Sequence, residues 1–491
     1  MGGRTQTHQG QAGPRFPTGT GPDSGSSRDA QAAGGKVVGL GRILARTVRH
    51  FWPGFNDWLN ELPDTRFQPF VVYERRFLMW VGLMLFCCKL GSRRQIDYQL
   101  RDPESFVLEN LNGLAGASQQ SLPVNKTLDH FLSHVGSEAI GQLRDRCVRT
   151  LIRGKVLDAC RLGGHFVLAF DGTGFLSFHR RHCPSCLHQS GDTGDCFLHQ
   201  VLEAKMVDPR GLAISVGTEF IENDEREGGD AAGPGRQSTK QDCELKAFLR
   251  LAPRIKSAFP QTPFCVAGDS LLACGPAMEA CRKLNWSFVL TFKPGRTPAL
   301  WQEFQALLGL NPANRLLTTA PDGTRCLYRW VNDLEHLDSA GRIHRLGALL
   351  CQQTDPDGTS HTFSWITDKN IHQGNVRDIA TRGGRCRFKI ENQGFNTQKN
   401  GGLNLEHAYS TGEDTLKAFY LLLQIAHLFL QMLEMGSLLR RLAERHGGSP
   451  AKVFGSSRNI ARRLLDCLRY FRIGAEFLGP CPRMQIRLDS S

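Results

Sequence analysis

The sequence lacks an uninterrupted apolar run of the length that a membrane-spanning helix needs, about 20 residues. Its two most apolar stretches are residues 77–88, which are too few, and residues 418–435, which carry Gln424, His427 and Gln431. We interpret both stretches as buried helices and expect no membrane partner.

A secretory signal is also missing, because no short apolar core near the start is followed by a small-residue cleavage site. The 16 cysteines are scattered, and several, such as Cys87, Cys88 and Cys265, lie inside apolar segments. This usage favours a reducing cytosol with free thiols over a disulfide framework. No internal repeat is evident, and 491 residues are too many for one small core.

Acidic residues are in deficit, since 60 Lys and Arg against 47 Asp and Glu give a formal net charge of +13. Such a charge suits a polyanionic partner, because each cation placed against a phosphate releases condensed counterions. A generally basic protein is the alternative, and charge alone does not separate the two. Arg42, Arg46 and His50 recur at fourfold spacing, which predicts one basic helix face for DNA or for solvent.

The periodicity changes from helical to strand-like after about residue 160. Short apolar runs bounded by turns predict strands at 165–170, 201–207, 212–220, 263–267 and 287–292. Longer amphipathic stretches predict helices at 242–259 and 276–284, and the turn at 208–211 predicts a hairpin. This order indicates a mixed α/β sheet. Residues 296–368 are rich in strand and turn signals, and the chain beyond about residue 375 is predicted to be helical.

Two aspartates follow predicted strands directly. Asp171 and Asp269 each come after an apolar run, and in a parallel α/β sheet such positions face the ligand edge. An Asp-Gly pair after a strand is also an ordinary turn, but two such aspartates in strand order favour a site. Further along, Arg387 and Glu391 are four residues apart and share a helix face, and Lys399 follows eight residues later.

Phosphoryl transfer gives these residues a joint use. Three carboxylates can hold two Mg²⁺ ions, one activating the attacking oxygen and one stabilising the leaving oxygen. Neighbouring Arg and Lys can then hold the phosphates. We therefore predict a metal site formed by Asp171, Asp269 and Glu391, with Arg387 and Lys399 as catalytic cations; for Arg387 the alternative is a surface ion pair with Glu391.

The pattern resembles the DDE transposases of bacterial insertion sequences. The segments that carry the resemblance are Asp171-Gly172-Thr173, Val266-Ala267-Gly268-Asp269, the Arg387-x₃-Glu391 helix, residues 388–402 and, more weakly, Leu62-Pro63-Asp64-x-Arg66. Their order is similar to the insertion-sequence-4-like branch over roughly residues 55–440. That branch usually has Lys at the position of Gln398, so the lysine comes one residue late here, at Lys399. It also usually has Tyr at the position of Gly384, and without this tyrosine the sequence does not decide whether cleavage follows the DNA-hairpin route of that branch.

The resemblance implies an α/β fold with a ribonuclease-H-like mixed sheet, a β-rich insertion, and helical N- and C-terminal regions. It implies cleavage and strand transfer of DNA with two Mg²⁺ ions, for which Mn²⁺ can substitute. The expected partners are the inverted-repeat ends of a mobile element and target DNA, bound by a homodimer in the bacterial cytoplasm at the nucleoid. The expected divisions are a disordered tail (1–35), a helical DNA-binding region (36–160), the first part of the catalytic domain (161–295), the insertion (296–370), the rest of the catalytic domain (371–440) and a helical C-terminal region (441–491).

A second metal site is predicted between the first two strands. The spacing Cys183-x₂-Cys186-x₉-Cys196-x₂-His199 suits a structural, tetrahedral zinc site. His179, His182 and His188 are substitute ligands, and a loop without metal is the alternative.

Other residues admit competing interpretations. Asp242 and Glu244 are rival acids, but acids preceding a helix favour capping. Trp330 and Trp365 could stack a displaced base, although buried strand tryptophans are more common. The alternatives to a transposase are a related nuclease without strand transfer, a domesticated DNA-binding protein and, more distantly, a zinc-dependent RNA-binding protein.

Overall fold

The computed structural model describes residues 24–191, 194–223, 242–478 and 485–488. Its α-helices are α1 (Ser24–Phe51), α2 (Phe55–Asn60), α3 (Arg75–Cys87), α4 (Val107–Ala115), α5 (Asn125–Val135), α6 (Ser137–Arg153), α7 (Glu244–Ala258), α8 (Gly275–Lys283), α9 (Pro298–Leu310), α10 (Val376–Asp378), α11 (Thr397–Asn400), α12 (Glu413–Glu434), α13 (Ser437–Arg445), α14 (Pro450–Phe454), α15 (Ser457–Tyr470) and α16 (Ala475–Leu478). Its strands are β1 (Arg161–Leu162), β2 (His165–Phe178), β3 (Leu187–Gly191), β4 (Gly194–Val207), β5 (Ala213–Ile221), β6 (Phe264–Gly268), β7 (Ser287–Thr291), β8 (Arg315–Thr319), β9 (Arg325–Leu337), β10 (Ile343–Thr354) and β11 (Ser360–Thr367).

The disordered tail predicted for residues 1–35 needs a correction. Residues 1–23 lie outside the described residues, but α1 already begins at Ser24. The segment from Ser24 mixes Ala, Gln and Arg, which are good helix formers, with several Ser and Gly residues, which are poorer ones. Its composition alone therefore does not predict where α1 begins.

One mixed sheet organises the α/β part of the chain. Its strand order is β3-β4-β2-β6-β7-β11-β10-β9-β8, with β5 also paired to β4 and β1 to β2. β2, β6 and β7 are parallel to one another, and the other pairs are antiparallel. The short strand β6 is buried throughout, as a parallel strand covered on both faces requires. The predicted mixed α/β class is confirmed.

The predicted hairpin at residues 208–211 is confirmed. β4 and β5 pair antiparallel on either side of it, and Gly211 has φ of 111°, which glycine adopts without a steric penalty. The Asp208 carboxylate accepts hydrogen bonds from the backbone N–H groups of Gly211 and Leu212, both at 2.9 Å.

The segment predicted as a β-rich insertion begins with a helix, α9, that the sequence reasoning missed. Leu300, Phe304 and Leu308 are buried at fourfold spacing on it. Strands β8–β11 follow, and they extend the main sheet through the antiparallel pairing of β11 with β7. This pairing gives hydrogen-bond partners to backbone groups along the edge of β7 that would otherwise be unpaired. Trp330 and Trp365 are both 3% exposed, so the buried-strand interpretation is confirmed and base stacking on either ring is excluded in this conformation.

Both apolar stretches are buried helices, as predicted. α3 is buried from Phe77 to Cys87. One helix of the described residues, α12, is long and apolar enough to cross a membrane by length and composition, and 89% of its apolar window is buried inside the fold.

The basic face predicted on α1 is packed rather than open. The guanidinium groups of Arg42 and Arg46 lie 4.5 and 4.2 Å from the ring centroid of Phe477. Arg49 donates to the backbone carbonyl of Gly113 at 3.1 Å. The spacing identified one helix face correctly, but α4 and α16 cover it, so neither an open DNA surface nor a fully solvated face describes it.

Candidate active site and candidate metal centre

Asp171 lies on β2, and Asp269 directly follows β6, the neighbouring parallel strand. The last paired residues of β2 and β6 are Ala169 and Ala267, and each aspartate comes two positions later. The prediction that β2 ends at residue 170 is wrong, since it continues to Phe178 along β4. Asp171 therefore lies inside a strand, because the antiparallel pairing with β4 outlasts the parallel pairing with β6.

Glu391 reaches Asp171 from an irregular helical segment. Residues Ile379–Gly384 and Ile390–Asn396 have π-helical turns, and Arg385–Arg387 form a 3-10 turn between them. Arg387 nevertheless contacts Glu391 as the fourfold spacing predicts, with 3.6 Å between Nη1 and Oε1. The same nitrogen lies 3.5 Å from Oδ2 of Asp171, so one guanidinium joins two of the three predicted acids.

Burial separates this arrangement from an ordinary surface ion pair. The side chain of Arg387 is 10% exposed and that of Asp171 is 16% exposed, whereas Glu391 is 49% exposed. The surface-pair interpretation is therefore wrong for Arg387. Burial raises the pKa of Asp171 to about 7, against the lowering effect of Arg387 and with a further raising effect from Glu391 and Glu244.

Glu244 is a fourth acid at this site, and the capping interpretation missed it. Cys243 precedes the first residue of α7, and no side chain makes a cap hydrogen bond there. Asp242 turns away to Arg250, with its two oxygens 3.1 and 2.6 Å from the guanidinium nitrogens. Burial raises the pKa of Glu244, Asp269 raises it further, and Arg387 opposes them.

A glycine in β2 makes room for Glu244. A Cβ atom at Gly172 would lie 2.0 Å from Oε1 of Glu244, so the carboxylate packs directly on the strand backbone. A glycine inside a strand often marks such a close approach, and this was the available sequence signal.

The Asp269 carboxylate is held by the backbone, because it accepts a hydrogen bond from the N–H of Leu271 at 2.9 Å.

Lys399, which was predicted as a catalytic cation, pairs with Glu406 and not with one of the three predicted metal ligands. It lies on α11, and its Nζ is 2.9 Å from Oε1 of Glu406. Gln398, where the resembled branch has lysine, is fully buried. It donates hydrogen bonds to Oε1 of Gln424 at 2.7 Å and to Nδ1 of His427 at 2.9 Å. The structure thus brings Arg387 and Glu391 to Asp171 and pairs Lys399 with Glu406.

The tyrosine that the resembled branch usually carries has no room here. A Cβ atom at Gly384 would lie 2.2 Å from Cε2 of Trp365. Any side chain at this position would overlap the indole, which is itself buried in β11. The departure at Gly384 therefore follows from packing against this tryptophan.

A buried ion pair supports the segment that carries Glu391. Glu203 is the β4 partner of Asp171, and it and Lys205 are both fully buried, with 3.4 Å between Nζ and Oε2. Lys205 also donates to Oε1 of Gln424 at 2.7 Å, and its Nζ lies 5.5 Å from the centroid of Phe395. β4 therefore supports both the Asp171 strand and the Glu391 segment.

A separate cluster forms beyond the carboxylates, at the far end of β2. Ligand atoms of His182, Cys183, Cys186 and His199 all lie within 4.8 Å of one another. Three of these residues belong to the predicted zinc set, and the substitute His182 takes the place of Cys196. Cys196 and His199 are both on β4, where residues three apart point to opposite faces. The prediction placed Cys196 and His199 between two strands, whereas both lie within β4.

A comparison with protein-family models found no match to this chain, and neither did a comparison with curated proteins.

Proposed function

We propose that this protein is a metal-dependent DNA transposase of the DDE class, acting on the ends of a mobile element. The observation that carries the proposal is the contact of Arg387 with both Asp171 and Glu391. Asp269 directly follows β6, which is parallel to the strand of Asp171, and it raises the pKa of the neighbouring Glu244. The strand order β5-β4-β2-β6-β7 supports a ribonuclease-H-like core, since an antiparallel β2-β4-β5 meander precedes two parallel strands.

The donor set fits divalent magnesium or manganese. Carboxylate oxygens are the ligands that hard cations take, and four carboxylates share this site with one guanidinium. Asp171, Asp269 and Glu391 would hold the ions, with Glu244 beside them. Two such ions would activate the attacking oxygen and stabilise the leaving oxygen of a phosphoryl transfer.

The chain's own residues have definable roles in that reaction. Burial of Asp171 and Arg387 keeps bulk water away from their charges, which strengthens electrostatic interactions at the site. The planar guanidinium of Arg387 can take two phosphate oxygens together. Glu244, packed on Gly172, adds negative charge beside Asp269.

The test is cleavage of the DNA that flanks the gene, including its inverted repeats, by purified protein with Mg²⁺. We expect Asp171→Ala, Asp269→Ala and Glu391→Ala each to abolish cleavage while DNA binding persists, because the acids act on the reacting phosphate and not on recognition. Glu244→Gln should reduce cleavage at least tenfold. Asp242→Asn is the matched control, two residues away on the same helix start, and should cleave normally.

Three results would change the proposal. Full activity in an acid variant would remove that residue from the site. Cut ends that are never joined to target DNA would identify a nuclease without strand transfer. A wild-type protein that binds these ends with no cleavage would indicate a domesticated DNA-binding protein.

A further inference from the structure

Four side chains from two separate parts of the chain converge at the far end of the β2–β4 pair. His182, Cys183 and Cys186 lie in the loop between β2 and β3, and His199 lies on β4 opposite Leu176. This cluster shares no residue with the carboxylate site and has no part in the proposed phosphoryl transfer.

The spacing of three donor atoms fits one tetrahedral ion, and the fourth donor, on His182, lies within 4.8 Å of each of them. Sγ of Cys183 lies 3.6 Å from Sγ of Cys186 and 3.5 Å from Nε2 of His199, and Sγ of Cys186 lies 3.3 Å from the same nitrogen. With Zn–S near 2.3 Å and Zn–N near 2.0–2.1 Å, tetrahedral ligand atoms are separated by about 3.4–3.8 Å. No disulfide joins the two cysteines, which are both free thiols.

The loop is held in the conformation that brings the thiols together. The backbone N–H of Cys186 points to the carbonyl of Cys183 at 3.4 Å. Arg181 donates to the carbonyls of Cys183 and Pro184 at 3.3 and 2.8 Å, and the Asn223 side-chain amide donates to the carbonyl of Cys186 at 3.0 Å. The bonds from Arg181 and Asn223 come from outside the donor set, so its geometry does not depend on the four ligand residues alone.

The histidines are also positioned by neighbours. The ring of His182 stacks on Phe178, with 4.6 Å between centroids and 9° between planes. The ring of His199 meets that of His182 nearly edge-on, at 5.8 Å and 80°. Phe178 closes β2 and thereby presents His182 toward β4.

From this geometry we propose that His182, Cys183, Cys186 and His199 form a structural zinc site that fastens the β2–β3 loop to β4. Two sulfurs and two imidazole nitrogens make a zinc-type donor set, unlike the all-oxygen set around Asp171. Four protein ligands complete the coordination, so no position remains for a substrate. Binding releases the protons of the two thiols to solvent.

The first measurement is the metal content of the full chain, purified without chelator and without DNA. We expect one zinc per chain. Replacement by Co²⁺ should give the visible bands of a tetrahedral ion and the near-ultraviolet bands of thiolate ligation. Wild-type protein that is folded and carries no zinc would overturn the proposal, whatever its activity on DNA.

Variants identify the fourth ligand. His182→Ala should lower zinc affinity at least tenfold, and His182→Cys should restore zinc binding and add thiolate intensity to the Co²⁺ spectrum. Cys196→Ser is the matched control on the same hairpin and should keep zinc at the wild-type level. Zinc loss from Cys196→Ser with retention in His182→Ala would replace this ligand set by the one that the sequence spacing suggests.

Discussion

Arg387 sits between two carboxylates that a divalent ion would compete for. Without metal, its guanidinium balances the charges of Asp171 and Glu391. Its Nε is buried and has no hydrogen-bond partner among the residues that the structure describes, which is costly unless some state of the protein supplies an acceptor. A DNA phosphate beside metal-bound carboxylates is such an acceptor, so the structure gives this arginine an electrostatic and a substrate-binding use.

We expect Arg387→Lys to keep the fold and the charge but to raise the activation free energy of cleavage by about 1.5–3 kcal/mol, the range for one hydrogen bond to a charged group. The physical reason is that an ammonium group cannot take two phosphate oxygens in one plane. Arg387→Gln should lose more. Single-turnover cleavage with Mg²⁺ measures the loss, and melting temperature checks the fold.

Arg382 offers a matched control for this experiment. It lies in the same irregular segment and pairs with Asp378 at 3.8 Å, with 41% of its side chain exposed. Arg382→Lys should leave cleavage unchanged. If both Arg387 variants cleave as fast as wild type, Arg387 is a structural residue only.

The sequence predicted residues whose chemistry follows from strand order, and it missed those that depend on tertiary contact. Asp171, Asp269 and Glu391 could be proposed because strand ends and helix spacing are local patterns. Glu244 was named only as a rival acid and was assigned to helix capping, because its place beside Asp171 depends on how α7 packs over Gly172. The sequence analysis ranked His182 only as a substitute ligand for a similar reason. Cys196 is excluded from the cluster because the register of β4 makes it face away from His199.

At the scale of elements, the irregular segment that carries Glu391 packs against a buried charged residue, Lys205. Lys205 and Glu203 are both fully buried on β4, and Lys205 contacts Phe395 and would meet a Cβ at Gly394 at 3.2 Å. Thr218 donates a hydrogen bond to Glu203. Burial lowers the pKa of Lys205, while Glu203 raises it, so each charge depends on the other.

We expect Lys205→Met to destabilise the protein by about 3–5 kcal/mol, because it leaves the Glu203 charge buried without its partner. The double variant Glu203→Gln, Lys205→Met should recover much of this loss. Unfolding in urea measures both free energies of unfolding.

The exposed pair Arg345–Glu335 serves as the control, at 3.3 Å with side chains 77% and 54% exposed. Arg345→Met should change the free energy of unfolding by less than about 1 kcal/mol. Equal effects of Lys205→Met and Arg345→Met would contradict a role for the buried pair.

In residues 161–295 the predicted strands at β5, β6 and β7 and the predicted helices at α7 and α8 match the observed elements within two residues at each end, since each has a clear hydrophobic period. β2 and β4 are longer than predicted, and β1 and β3 were not predicted. The errors fall where pairing partners decide the outcome. β2 runs past Asp171 because β4 continues beside it, and β8–β11 join the main sheet because β7 offers an open edge. Neither partner can be identified from the strand's own sequence.

At the scale of the whole molecule, the net charge of +13 remains the main argument for a polyanionic partner. Its distribution differs from the expectation, because the Arg42 and Arg46 side chains stack on Phe477. These two cations contribute to packing between α1 and α16. Phosphate contacts should therefore come from other basic residues.

DNA binding should weaken steeply with salt, because each neutralised phosphate contributes about −0.9 to the slope of log affinity against log salt. With several contacts, we expect a loss of at least a hundredfold between about 50 and 200 mM salt, measured by fluorescence anisotropy with a DNA duplex. The double variant Arg42→Gln, Arg46→Gln should keep the wild-type slope and lower the melting temperature, because those side chains pack on Phe477 and do not face solvent freely. A slope reduced by about two in this variant would return the α1 face to the DNA interface. Wild-type affinity that hardly changes with salt would argue against an extensive phosphate footprint anywhere on the protein.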